Sequence, residues 1–215
     1  MQCAIVDVRK WFTPEVLASV LAARDVARPV KVSGVSATGL EGPDTAGLDY
    51  RVLDGTAVKR ELPGLHALST DPELVGWLSD RSGAELVPRT SHATAGANIN
   101  YVEGMGKRYE WHVDSVHWTL LVFVTTHGFE EGGALCMNDV ANVRGKPVDY
   151  AYMTATRIQP RAGYGLLFRG SATPHAVEPL KKDVLRVTIP IEFDEKGAPP
   201  PPVIEDPSYL YGDKM

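Results

Sequence analysis

The hydrophobic and polar residues of the N-terminal third predict a few separate helices and strands. Thr13, Pro14 and Glu15 predict a helix start, with a capping hydroxyl, a proline at the first helical position and an acid in the first turn. Apolar residues follow at helical spacing to about residue 26. Residues 71–73, Asp-Pro-Glu, predict a second helix that ends near residue 83. The other predictions are strands at 31–36 and 50–58 and a Gly-, Pro- and Asp-rich loop at 38–47.

Beyond residue 85 the pattern changes to short apolar or alternating runs separated by turn residues. Many short strands at similar spacing are typical of a sandwich or barrel and not of βαβ units. The runs cover residues 86–90, 97–102, 109–113, 119–125, 134–137, 150–158, 165–168, 176–179 and 185–193. We therefore predict a mainly β fold with an α flank. Its core is a double-stranded β-helix, a cupin-like jelly roll, with N-terminal helices packed outside.

The 215 residues predict a single domain with three parts. Residues 1–84 form an N-terminal α/β flank, and residues 85–195 form the jelly-roll catalytic core. Residues 196–215 form an extended tail that contains the sequence GAPPPP.

Composition narrows the possible partners and the compartment. A net charge of −5 and a pI near 5.7 argue against a surface built to bind nucleic acid. No stretch is apolar over the length that spans a bilayer, and the N-terminus lacks the pattern of a signal peptide. The two cysteines, Cys3 and Cys136, form neither a metal-type pair nor a disulfide framework. We predict a cytoplasmic protein without nucleic-acid or membrane partners; its oligomeric state stays open.

The candidate chemistry starts at His112 and Asp114, which are two residues apart and would share one face of a strand. A lone His-x-Asp is more often an ordinary pair, but His175 follows 63 residues later. Two histidines and one carboxylate on one face of an octahedral ion leave three positions open, which suits Fe(II) with a bidentate cosubstrate and dioxygen. Arg186 and Thr188 share a face of the next strand, where a guanidinium beside a hydroxyl suits a carboxylate.

This ordered set of motifs resembles the Fe(II)/2-oxoglutarate-dependent oxygenases, and among them the prolyl-4-hydroxylase type. The resemblance runs from about residue 98 to 193 and includes YVEGMGKRYEWHVD, GGAL, AGYGLLFRGSATPHAVEPL and RVT. It implies three Fe(II) ligands: His112, Asp114 and His175. It implies three cosubstrate contacts: Arg186 to the distal carboxylate of 2-oxoglutarate, Thr188 in support, and Tyr101. The alternative for Tyr101 is a core aromatic whose hydroxyl finds a structural partner.

The sequence also departs from some relatives in ways that bear on the reaction. Related halogenases replace the metal carboxylate with a small residue, so the intact Asp114 favours hydroxylation. Relatives that repair alkylated nucleic acid tend to have a second arginine six residues after the first, where this chain has Glu192. Residues 119–126 lack the second pocket tyrosine that protein-prolyl hydroxylases often have.

Three functional hypotheses follow. The leading one is an Fe(II)- and 2-oxoglutarate-dependent dioxygenase that hydroxylates an unactivated C–H bond of a small molecule, such as an amino acid or a natural-product intermediate. The second keeps the chemistry but acts on a peptidyl residue, as prolyl hydroxylases do. The third is a non-enzymatic jelly-roll module that binds a metal or 2-oxoglutarate. The sequence names neither the substrate nor the carbon attacked, nor does it separate hydroxylation from desaturation or cyclisation.

Overall fold

A computed structural model describes residues 3–32, 48–89 and 96–201 of the protein. Its strands are β1 (Cys3–Asp7), β2 (Arg28–Val32), β3 (Leu48–Leu53), β4 (Leu86–Pro88), β5 (Ile99–Glu103), β6 (Tyr109–His112), β7 (Trp118–Phe123), β8 (Leu135–Met137), β9 (Thr156–Ile158), β10 (Tyr164–Phe168), β11 (His175–Val177) and β12 (Leu185–Glu195). Its α-helices are α1 (Pro14–Ala22), α2 (Gly55–Glu61), α3 (Pro63–Leu68), α4 (Pro72–Ser82) and α5 (Val148–Met153).

The strands form two antiparallel sheets around one interior. The larger sheet has the order β1-β10-β7-β12-β5-β3-β2, with β4 pairing with the end of β12, and the smaller has the order β6-β11-β8-β9. Between them, Leu121, Phe123 and Phe168 of the larger sheet pack against Leu135 and Met137 of the smaller. This arrangement confirms the predicted jelly roll.

The outer face of the larger sheet is covered by the N-terminal helices. Val187 and Ile189 of β12 share a hydrophobic cluster with Val20 of α1 and Leu78 of α4. Side chains alternate between the two faces of a strand, so the even-numbered residues of β12 point into the jelly roll while the odd-numbered ones meet the helices. The predicted position of the helices, outside the β core, is confirmed.

Two predicted helix starts are confirmed in detail. The Thr13 hydroxyl accepts a hydrogen bond from the Val16 N–H, and the Asp71 carboxylate accepts one from the Leu74 N–H at 2.8 Å. The first helix ends at residue 22, earlier than predicted, and a 3-10 turn continues to residue 26. The second ends at Gly83, whose φ of 71° suits a residue without a side chain.

Two strand predictions are wrong in part. The strand predicted at 50–58 ends at Leu53, because Asp54 caps α2 by accepting a hydrogen bond from the Ala57 N–H at 2.9 Å. The first half of the strand predicted at 150–158 is α5. Its alternating aromatic and small residues resemble a strand, but one helical turn places Ala151 and Tyr152 against Trp111 on the outside of the smaller sheet.

The N-terminal segment does more than flank the core, since β1 forms one edge of the larger sheet while β2 and β3 extend the other. The division into flank, core and tail stays a prediction. The predicted loop at 38–47, most of the strand predicted at 31–36, and residues 202–215 of the tail lie outside the described residues. No helix in the described part is both long and apolar enough to cross a membrane.

Candidate active site

Three side chains with metal-ligand chemistry meet inside the jelly roll. His112 ends β6 and His175 begins β11, and the two residues pair directly across these antiparallel strands. Nε2 of each histidine lies 3.6 Å from Oδ1 of Asp114. Metal–ligand bonds of about 2.0–2.2 Å place two ligand atoms up to roughly 4.4 Å apart, so one ion fits between the carboxylate and each imidazole. The three residues form a candidate site for one metal ion.

Hydrogen bonds at the far side of each ring turn both histidines toward this point. Nδ1 of His112 donates to the Glu110 carbonyl at 2.7 Å, and Nδ1 of His175 donates to the Thr173 carbonyl at 3.0 Å. A carbonyl only accepts, so each Nε2 keeps its lone pair for a metal. Burial, together with the neighbouring His175, lowers the pKa of His112 to about 4, which keeps its imidazole neutral near pH 7. A neutral imidazole is the form that binds a metal.

Asp114 reaches the site from a loop and not from a strand, because β6 ends at His112. The Asp114 N–H donates to the Gly170 carbonyl at 3.0 Å, and the Thr119 hydroxyl donates to Asp114 Oδ2 at 2.5 Å. A Cβ on Gly170 would lie 2.6 Å from Thr119 Oγ1 and 2.8 Å from Asp114 Oδ2, so this position has no room for a side chain. Thr119 and Gly170 thus hold the carboxylate with Oδ1 facing the histidines. The sequence analysis missed both positioning residues.

A bulge in β6 decides which aromatic residues face the site. His175 pairs with His112, but Val177 pairs with Tyr109. Residues 109–112 of β6 therefore lie opposite residues 175–177 of β11, so β6 has one extra residue. Tyr109 and His112 therefore lie together inside the jelly roll, with ring centroids 4.9 Å apart. Trp111 points to the opposite side, into the cluster under α5. Strict alternation along the sequence would have placed Tyr109 with Trp111.

Arg186 is a buried cation on the inner face of β12. It is 1% exposed, and its Nε donates to the Gly133 carbonyl at 2.7 Å. Its Nη2 is buried and has no hydrogen-bond partner among the described residues. Burial lowers the pKa of Arg186 to about 10, which still leaves it charged at neutral pH. A buried guanidinium with unused N–H groups is stable only beside an anion, so this pocket fits a carboxylate.

The neighbours of Arg186 are mixed in polarity. Thr188, 2% exposed, lies on the same inner face and pairs with Asn100 on one side and Phe123 on the other. The predicted sharing of one face by Arg186 and Thr188 is confirmed. Phe123, beside Thr188, has no hydroxyl that could donate a hydrogen bond to a bound carboxylate. Asn100 was not predicted, although its even-numbered position beside the inward-facing Val102 was an available indication.

The prediction that Tyr101 contacts the cosubstrate is wrong. Tyr101 pairs with Val187, which faces the helices, and it lies in the outer hydrophobic cluster. Its hydroxyl donates to the Val20 carbonyl of α1 at 2.7 Å, and burial raises its pKa above the ordinary value. Neighbouring residues of a strand face opposite sides, so Tyr101 is out of phase with the inward-facing Asn100 and Val102. The structure shows the alternative, a core aromatic with a structural hydrogen bond.

Replacing Tyr101 with phenylalanine tests this correction. The variant loses one buried hydrogen bond, which lowers the free energy of unfolding by about 1 kcal/mol and the melting temperature by about 2–4 °C. The KM for 2-oxoglutarate, measured by succinate release, should stay at the wild-type value. A several-fold rise in that KM with unchanged stability would restore Tyr101 as a cosubstrate contact.

The comparisons with known proteins agree with this geometry. The sequence model of the 2OG-Fe(II) oxygenase superfamily matches residues 97–191, the segment that contains the triad and Arg186. A search of curated proteins gave no match.

Solved structures with the same fold include the following three. AviO1 from Streptomyces viridochromogenes Tue57 is 16% identical, with 94% of this chain and 93% of that chain covered and a TM-score of 0.64. The epimerase SnoN in complex with Fe3+, alpha ketoglutarate and nogalamycin RO is 13% identical, with 97% and 84% covered and a TM-score of 0.63. A prolyl hydroxylase from Trichoplax adhaerens, in complex with a hypoxia inducible factor peptide fragment, is 19% identical, with 91% and 84% covered and a TM-score of 0.59.

Enzymes of this superfamily use Fe(II), 2-oxoglutarate and dioxygen. The donor set of two imidazoles and one carboxylate fits Fe(II), and the unpaired N–H of Arg186 fits a carboxylate. A non-enzymatic binding module, the third hypothesis, does not agree with the family match. The match of residues 97–191 to the 2OG-Fe(II) oxygenase superfamily, together with the fold, indicates an oxidoreductase that uses Fe(II), 2-oxoglutarate and dioxygen.

Proposed function

We propose that this oxidoreductase hydroxylates an unactivated C–H bond of a small molecule, such as an amino acid or a natural-product intermediate. The observation that carries the proposal is a buried arginine with an unused N–H that shares one interior with an intact two-histidine, one-carboxylate triad. These are the two features that a metal and a dicarboxylate cosubstrate require of a protein.

In this proposal His112, Asp114 and His175 hold Fe(II) through Nε2, Oδ1 and Nε2. When bound, Fe(II) and 2-oxoglutarate together supply the oxidising chemistry, in which dioxygen is consumed and 2-oxoglutarate becomes succinate and carbon dioxide. Arg186 binds the distal carboxylate and fixes the orientation of the cosubstrate, with Thr188 beside it.

The remaining contribution of the chain is to hold the ligands and exclude water. Thr119 keeps Asp114 aligned through its 2.5 Å hydrogen bond. Leu121, Phe123 and Phe168 form an apolar wall between the sheets, which limits the access of water to the reacting centre. Asp114 would supply the third protein ligand to the metal, so hydroxylation is favoured over halogenation.

A peptidyl substrate is the second candidate, and it is motivated by the prolyl hydroxylase among the proteins of similar fold. The small molecule is preferred because residues 119–126, where protein-prolyl hydroxylases often have a pocket tyrosine, contain none, and Phe123 lies beside Thr188. We also propose a cytoplasmic location, supported by the free thiols of Cys3 and Cys136.

The proposed function is tested in two steps. Anaerobic addition of Fe(II) and 2-oxoglutarate is expected to give a weak visible charge-transfer band. In air, a small-molecule metabolite pool should then raise succinate release more than a peptide pool does, and mass analysis should find a product heavier by one oxygen. Absence of the band, or succinate release that no pool stimulates, would contradict the proposal. Stimulation by peptides alone would favour the second candidate.

A further inference from the structure

Two connections between the sheets cross the end of the interior that holds Arg186. Residues 124–134 lead from β7 of the larger sheet to β8 of the smaller one, and residues 159–163 lead from β9 back to β10. The first connection packs directly on Arg186: a Cβ on Gly133 would lie 3.1 Å from Arg186 Cδ, and the Gly133 carbonyl accepts the hydrogen bond from Arg186 Nε. Polar side chains on these connections are therefore candidates for contact with a ligand of Arg186.

His127, in the first connection, is held beside the start of β12. Its N–H donates to the Pro160 carbonyl of the second connection at 3.1 Å. Its ring Nε2 lies 3.2 Å from the carbonyl oxygen of Leu185, the residue before Arg186, and 3.1 Å from Thr125 Oγ1. His127 is only 5% exposed, so the fold fixes its ring at the base of Arg186.

The contacts of Nε2 leave Nδ1 of His127 without a partner. The Leu185 carbonyl can only accept a hydrogen bond, and Thr125 Oγ1 already accepts one from the Val187 N–H at 3.0 Å, so the proton of the neutral ring belongs on Nε2. Nδ1 then carries a lone pair, and it is buried with no hydrogen-bond partner among the described residues. A carboxylate cannot donate to a lone pair. Nδ1 can bind a carboxylate only as an N–H of the protonated ring.

Gln159, next to Pro160, adds to the unused hydrogen-bonding groups on these connections. Both polar atoms of its amide are buried and have no partner in the described part of the chain. The preceding residue, Ile158, packs against the hydrophobic cluster between the sheets. Buried polar atoms without partners are unfavourable, so Arg186, His127 and Gln159 together favour a polar ligand at this end.

The charge of Arg186 controls whether His127 is protonated. Burial, together with Arg186, lowers the pKa of His127 below its ordinary value, so the ring is neutral at pH 7 in the free protein. Among the described residues, the other charged group that acts on His127 is Glu131 of the same connection, whose carboxylate accepts the Gly128 N–H at 2.8 Å. An anion bound beside Arg186 offsets the positive charge that disfavours the imidazolium, so it should raise the pKa of His127.

We propose that His127 is a second cosubstrate-binding residue, which takes up a proton when 2-oxoglutarate binds and donates from Nδ1 to the distal carboxylate held by Arg186. The inference rests on the proposed role of Arg186 and adds a residue and a pH dependence to it. Both carboxylates of 2-oxoglutarate stay ionised from about pH 6 to about pH 8, so the protein is the group that gains the proton. Affinity should therefore fall as the pH rises, by up to about tenfold per pH unit between the pKa of the free protein and the higher pKa of the complex.

The test compares the wild type with His127→Gln in anaerobic titrations of the Fe(II) protein with 2-oxoglutarate at about pH 6, 7 and 8. Glutamine can keep a hydrogen bond to the Leu185 carbonyl, but it takes up no proton. The wild-type Kd, read from the charge-transfer band, should rise about tenfold or more over this range, while the Kd of His127→Gln stays nearly constant. The matched control is His117→Gln, since His117 is equally buried and bonds to Asp194 and the Pro199 carbonyl. It should keep the wild-type profile.

A second ligand and a second measurement separate cosubstrate binding from support of the loop. 2-Oxopentanoate has the same keto acid group but lacks the distal carboxylate, so wild type and His127→Gln should bind it with the same pH profile. Calorimetry in two buffers of different ionisation enthalpy counts the protons taken up. Near pH 7 the wild type should gain a fraction of a proton with 2-oxoglutarate. No proton should be gained by His127→Gln, or by the wild type with 2-oxopentanoate.

Equal pH profiles of the wild type and His127→Gln, or proton uptake that persists in His127→Gln, would overturn the inference. So would a loss of affinity in His127→Gln that is the same at every pH and for both ligands, because it would show that His127 only supports the loop. A wild type without the charge-transfer band contradicts the proposed function and the inference with it. A wild type that has the band and a Kd independent of pH contradicts the inference alone.

Discussion

Replacement of His175 by alanine is expected to abolish Fe(II) binding and 2-oxoglutarate turnover. His175 is 5% exposed, and its Nε2 points at Asp114 Oδ1 from 3.6 Å. Changes to residues that only orient metal ligands reduce metal affinity about 10- to 100-fold, so removal of a ligand should exceed 100-fold. The measurement is an anaerobic titration with Fe(II) in the presence of 2-oxoglutarate. The charge-transfer band should be absent at metal concentrations that saturate the wild type.

The control for this variant is His117→Ala, because His117 is 6% exposed and hence equally buried. Its two ring nitrogens contact Asp194 and the Pro199 carbonyl, so it serves the fold and not the candidate metal site. We expect it to lose stability and keep the band. His175→Ala also removes an edge contact with Phe168, at 4.8 Å between ring centroids, so its folding must be checked by thermal unfolding. A folded His175→Ala protein that keeps the band would remove His175 from the ligand set.

Replacement of Arg186 by methionine is expected to make the free protein more stable and to end its response to 2-oxoglutarate. The guanidinium is buried with one nitrogen unpaired, and its lowered pKa reflects the unfavourable burial of that charge. Because the folded pKa of about 10 lies below the ordinary value, this penalty is present at every pH below 10. An apolar side chain of similar length should raise the free energy of unfolding by about 1–3 kcal/mol. Loss of the hydrogen bond to the Gly133 carbonyl reduces this gain.

The stabilisation by 2-oxoglutarate should be lost in Arg186→Met, although the free protein becomes more stable. These opposite changes make the test specific. At 2-oxoglutarate concentrations of about 100 times its Kd, the wild type with Fe(II) should gain about 2.7 kcal/mol under anaerobic conditions, and Arg186→Met should gain almost nothing. The matched control is Arg157→Met, which removes a partly exposed arginine that pairs with Glu178 on the smaller sheet. It should keep the full gain. An undiminished response in Arg186→Met would show that the cosubstrate is held elsewhere.

Much of the fold and of the site could be predicted from local patterns. The caps at Thr13 and Asp71 and the alternating runs beyond residue 85 are properties of a few adjacent residues, and the structure confirms them. His112 and Asp114 are only two residues apart in the sequence, so their proximity in space could be predicted without knowledge of the fold. The sharing of one face by Arg186 and Thr188 followed from the two-residue period of an uninterrupted strand.

The errors arose where the answer depends on how strands pair. Tyr101 is on β5, and whether it faces the interior is fixed by its register with β12, which aligns it with Val187. The predicted strand at 150–158 became partly helical because packing on Trp111 outweighed a β-like alternation. The bulge opposite β11 changed the phase of β6, so that Tyr109 lies beside His112.

By itself, the sequence determined the types of the candidate metal ligands, their order along the chain and the β-rich architecture that holds them. Those features depend on the chemistry of single side chains and on short-range periodicity. Only the tertiary structure decided which residues surround the site: Thr119 and Gly170 around Asp114, and the unpaired nitrogen of Arg186. These depend on strand register, on a bulge and on the packing of two sheets, which bring together residues that are distant along the chain.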